Sequence, residues 1–166
     1  MNRKGFTLIE LLAVIVVLAL ILIISFPSLT NVFKSSKLKN EEIFVGRLSQ
    51  TIDSYVSLNS SEISFSDFGD GRKEGEESSV HVYKGTIEIQ NLFDDKLITE
   101  SDYINPGNKD VPCNKEAEIE VYRDSDYVYC HKIKKDSLIC LSNDYKDTLG
   151  DDYVIDTCTW ERVEER

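Results

Sequence analysis

One acidic side chain, Glu10, stands inside the apolar run FTLIELLAVIVVLALILIISF of residues 6–26. A carboxylate there is costly unless it is paired, so Glu10 is the first candidate for a functional residue. Other groups able to do chemistry are sparse. His81 and His131 are the only two histidines. Each lies in an alternating pattern between polar and aromatic neighbours, and each reads as a surface or strand-edge residue. No GxSxG, P-loop, HExxH or glycine-rich phosphate cradle occurs, so neither a catalytic residue nor a cofactor is expected, and the chain does not read as an enzyme. The stretch DFGDGRKEGEE at 67–77 clusters carboxylates, which suit hard cations. Its spacing fits no EF-hand loop, so it reads as solvated and metal-free.

The four cysteines are Cys113, Cys130, Cys140 and Cys158. None forms a CxxC pair, which argues against structural zinc. In an exported domain with a small core, an even number of cysteines reads as disulfides. Three connectivities are open and the sequence does not choose among them. The preferred one joins Cys113 to Cys140 and Cys130 to Cys158, stapling strands to one another and to the C-terminal tail. Each bridge would contribute about 2–4 kcal/mol.

These residues must be carried by a small set of elements. Residues 6–26, at about 1.5 Å each, cover roughly the 30 Å of a bilayer core. The run is too long for a cleaved secretory signal, and SFPS puts a proline where such a signal would be cut. A plain membrane anchor accounts for the hydrophobicity but not for Glu10. Past the span, Leu29, Val32, Phe33, Ile43, Phe44, Leu48, Ile52, Tyr55 and Val56 continue an apolar stripe at mostly helical spacing, with Ser, Lys, Glu and Asn filling much of the other surface. One long helix from Thr7 to about Leu58 follows, bent at Pro27, with Gly46 costing it roughly 1 kcal/mol that packing could offset.

Residues 59–79, rich in glycine, serine and charge, read as a surface loop. Beyond them SSVHVYKGTIEIQ reads as a strand or hairpin and NLFDDKLITESDYI as a short helix or turn. AEIEVYR, DYVYCHKI, DSLICLS and DYVIDTCTW are strand candidates about ten residues apart, which predicts a small antiparallel sheet. Trp160 is expected to cover its edge or core. The net charge of −11 on 166 residues argues against a nucleic-acid surface and for one modest domain.

KGFTLIELLAVIVVLALI resembles the leader and N-terminal helix of type IV prepilins and pseudopilins, over Arg3 to about Phe33. The resemblance implies cleavage by prepilin peptidase between Gly5 and Phe6, and N-methylation of Phe6. Glu10 then falls fifth in the mature chain, where the family carries its glutamate, placed near a neighbouring subunit's terminal amine. Pro27 falls twenty-second, where many members have a proline that bends the helix. The implied fold is α+β and pilin-like: a long N-terminal helix, half membrane and half amphipathic, packed on a small antiparallel sheet.

The implied domains are a leader (1–5), a transmembrane or filament-core helix (6–26), an amphipathic helix (27–58) and a disulfide-bonded sheet domain (59–166). The implied function is a structural subunit of a type IV pilus, held in the cell membrane and then drawn into an extracellular filament. Its partners would be prepilin peptidase, like or unlike pilin subunits, the assembly platform and its ATPase, and the membrane, without direct nucleic-acid binding. A pseudopilin of a competence or type II secretion machine is the alternative. A signal-anchored extracellular binding domain is the third reading.

Overall fold

The helical periodicity of the N-terminal third is realised in α1, Leu8–Asn59. The computed structural model describes residues 7–73, 79–150 and 152–162, with all side chains in them except those of 24–29, 73, 161 and 162. The chain divides into two compact units, Met1–Lys37 and Leu38–Arg166, and α1 contributes to both.

In the first unit the helix runs through Pro27 without ending. The large apolar side chains from Leu8 to Ile23 are 49–83 % exposed. Among the described residues no helix is long and apolar enough to cross a membrane. The span expected at 6–26 reaches outside them at Phe6 and at the side chains of 24–26.

In the second unit α1 buries Phe44, Val45, Leu48, Ile52, Tyr55 and Val56. Steps of one, three or four residues put these on one face. Glu41 lies on the same stripe and is fully buried, although its charge suggested the polar surface. Its Oε2 accepts from the Ser142 hydroxyl at 2.9 Å and from the Ser142 N–H at 3.3 Å. A partner a hundred residues away, which no local pattern records, is what draws it in.

The helix packs on an antiparallel sheet built from β1 (Ser66–Lys73), β2 (Ser79–Glu88), β3 (Glu118–Asp124), β4 (Tyr129–Lys134), β5 (Tyr153–Asp156) and β6 (Trp160–Arg162), with α2 (Ile89–Asp94) following β2. The spatial order is β5-β4-β3-β2-β1-β6. The expected surface loop at 59–79 is therefore overturned in part. Residues 66–73 form a strand because β2 and β6 supply hydrogen bonds on both sides, with Gly69 taking φ 108° at a bulge. DSLICLS is not a strand. It becomes a 3₁₀ turn at Lys135–Ser137 and the approach to α3 (Asn143–Lys146), whose first turn Ser142 caps. The carbonyl of Cys140 there accepts from Asn105 Nδ2 and Asn108 Nδ2, so side chains take the place of a ladder.

A flat sheet of this order would set β5 and β6 roughly 24 Å apart, five gaps of about 4.8 Å. From Asp156 to Trp160 the chain can reach at most about 14 Å. The sheet must therefore curl until its two ends meet, with 153–162 as a seam strand pairing to β4 on one side and β1 on the other. Its helix-side face carries Ile87, Ile119, Val121, Ile133 and Ile155 in the main core. The inside of the curl holds a second core of Val82, Tyr122 and Trp160, flanked by Phe68, Val80, Cys130 and Cys158. Gly71 makes room there, since a Cβ would stand 2.9 Å from the Trp160 ring. The fold class is α+β, a long helix on a small antiparallel sheet.

Candidate functional site

With α1 starting at Leu8, Thr7 takes the N-cap position and Glu10 the third helical position. The Thr7 N–H and hydroxyl both donate to Glu10 Oε2 at 2.8 Å, and the Glu10 N–H reaches Thr7 Oγ1 at 3.3 Å. This is a reciprocal capping box, which satisfies N–H groups that the first turn would otherwise leave open. The carboxylate thus has a partner within its own helix. The sequence carries the signal as TLIE, a Thr-x-x-Glu ahead of an apolar run, which the charge of Glu10 alone does not show. Both bonds fall on Oε2, so Oε1 remains available. Gly5 and Phe6, the expected cleavage and methylation positions, lie outside the described residues.

The surface or edge reading of His131 is overturned, since it is 1 % exposed under α1. Its Nδ1 lies 3.1 Å from Asp53 Oδ1 and its Nε2 3.0 Å from Ser49 Oγ. A neutral imidazole protonated on Nδ1 satisfies both: it donates to Asp53 and accepts from Ser49. Burial holds the His131 pKa below the ordinary histidine value, against the opposing pull of Asp53. The order Ser–His–Asp matches that of acyl-transfer triads. Ser49, however, sits inside a helix whose backbone N–H groups are already bonded, so no oxyanion donors face it. The arrangement is a polar strut between α1 and β4.

His81 on β2 is part-exposed. Its Nδ1 is 3.0 Å from Asp70 and its Nε2 3.3 Å from Asp67, and the hydrogen bond to Asp70 raises its pKa. A groove of about 380 Å³ runs between α1 and residues 97–103, with Arg47 and Asp102 among its lining, and no nucleophile–base pair converges on it. Among the described residues no group of His, Cys, Asp or Glu is arranged to hold a metal.

Cys113 is joined to Cys140 and Cys130 to Cys158, with Cα–Cα distances of 4.6 and 5.0 Å. The first bridge ties the segment after α2 to the one before α3. The second rivets β4 to the seam strand.

No curated protein and no solved structure matches the chain. Residues 1–26 match the family described as the prokaryotic N-terminal methylation motif. The region so matched contains Gly5, Phe6 and Glu10 and ends just before Pro27. The chain therefore carries, at its N-terminus, the type IV pilin-type signal for prepilin cleavage and methylation.

Proposed function

We propose that this chain is a structural subunit of a type IV pilus filament, cut between Gly5 and Phe6, methylated on Phe6 and assembled through its N-terminal helix. The observation that carries the reading is the processing signal at residues 1–26 with Glu10 inside it. Cleavage leaves Phe6 with an α-amine of pKa about 8, largely cationic at neutral pH. Glu10 Oε2 is engaged by Thr7, and Oε1 supplies an acceptor for a neighbouring subunit's amine. Such a pair is tolerated in an apolar bundle, whereas either charge alone is costly, so a subunit out of register would be penalised. The apolar side chains exposed from Leu8 to Ile23 suit lipid before assembly and neighbouring helices after it. The acidic outer domain would coat the filament.

Intact-mass analysis of protein purified from its native membrane tests this reading. The expected chain begins at Phe6, carries one added methyl group of about 14 Da, and gains about 4 Da on reduction of two bridges. A chain retaining Met1–Gly5, or one cut near Pro27, would make this an anchored or secreted domain instead.

A further inference from the structure

Arg123 on β3 is the unusual cation of the folded domain. Its guanidinium lies over three rings, those of Phe65, Tyr83 and Tyr127, at 5.0, 4.8 and 4.9 Å. Its Nε is buried and has no hydrogen-bond partner, and among the described residues no carboxylate pairs with it. That is unexpected in a chain with 30 acidic residues against 19 basic ones.

Three carboxylates of this region are committed elsewhere. Asp67 and Asp70 hold His81 from both sides. Asp124 Oδ1 accepts from the N–H groups of Asp126 and Val128. The turn so formed holds Tyr127 at φ 62°, a conformation costly for an aromatic residue, and leaves it 69 % exposed beside the guanidinium. Strain and an unpaired cation therefore meet at one place on the helix-side face, where Tyr83 stands opposite Arg123 in the ladder.

We propose that Arg123, with the rings of Tyr83 and Tyr127, forms a binding site for a carboxylate-bearing sugar. Nε is enclosed, so a ligand meets the Nη edge of the planar guanidinium, whose paired donors match a carboxylate. The exposed Tyr127 ring offers a negative π face to the C–H edge of a pyranose. A lone cation on a chain of net charge −11 suits a single carboxylate, whereas a polyanion such as nucleic acid would be repelled by the rest of the surface. The site does not depend on the filament reading.

Binding is measured on the full chain in detergent, by calorimetry or ligand-observed NMR. The probes are methyl glucuronide, the methyl glycoside of N-acetylneuraminic acid, neutral methyl glucoside, acetate and a short peptide with a free carboxyl terminus. At least one acidic sugar should bind about tenfold or more tightly than the glucoside, acetate and the peptide. Which of the two wins separates uronic-acid from sialic-acid sources. Arg123→Gln should remove this preference. Should that variant fail to fold, Tyr127→Ala, which alters an exposed ring, should weaken the acidic sugars several-fold and leave the thermal midpoint in place. Equal binding of glucoside or acetate, tighter binding of the peptide, or undiminished sugar binding by Tyr127→Ala would overturn the proposal.

Discussion

His131 and His81 respond to pH in opposite directions. Burial lowers the folded-state pKa of His131, so below about pH 6.5 the unfolded chain takes up the proton more readily than the folded one. The contribution of the Ser49–His131–Asp53 strut is therefore complete above that pH and is lost as pH falls. His81 has a raised folded pKa, so its pairs with Asp70 and Asp67 stabilise at low pH and fade as pH rises through that value. In thermal melts between pH 8 and 5.5, His81→Gln should steepen the loss of stability on acidification, because the opposing contribution is gone. His131→Asn, which keeps a donor toward Asp53, should flatten it. An unchanged slope in both variants would mean that neither histidine governs the profile. The alternation VYCHKI told which face of the strand His131 shares. It could not tell that the face is roofed, because the roof is Ser49 and Asp53, about eighty positions earlier in the chain.

At the scale of the element, the same substitution should act with opposite sign at two glycines. Gly46 lies on the exposed side of α1, where an added Cβ meets nothing within 4 Å. Its cost is therefore not offset by packing, and Gly46→Ala should stabilise the fold by about 1 kcal/mol. Gly85 in β2 faces the chain leaving α1, and a Cβ there would stand 2.6 Å from Ile63 Cγ2 and 3.1 Å from the Ser64 carbonyl. Gly85→Ala should destabilise by about 1–3 kcal/mol. Denaturant titration of both reads the contrast, and like signs would show that the helix–sheet contact is placed differently. Sequence patterns worked where an element's own residues decide it. The stripe of α1 and the alternation of β3 and β4 report burial against one partner face. They failed at β1, whose SDFGDGRK has weak strand propensity and is made a strand by two neighbours. They failed again at DSLICLS, where side-chain amides and a disulfide override a strand-like alternation.

At the scale of the molecule, the processing signal and the folded domain fall in different units. Every residue of both buried clusters lies at or beyond Leu38, and both disulfides lie there too. This separation was legible only in part. The N-terminal motif stands in adjacent residues, so a glycine, an apolar run and the glutamate inside it are legible without any fold. The curl of the sheet depends on a seam strand pairing with both β4 and β1, a closure that strand periodicity does not encode. A chain trimmed to residues 38–166 should then keep its core, remain monomeric in the absence of detergent and unfold in one cooperative transition. The full chain should self-associate under the same conditions, because the large apolar side chains of Leu8–Ile23 are 49–83 % exposed. Size-exclusion chromatography with thermal melts distinguishes the two. A trimmed chain without a cooperative transition would show that the N-terminal unit contributes to the fold. A full chain that stays monomeric would contradict the exposure of those apolar side chains.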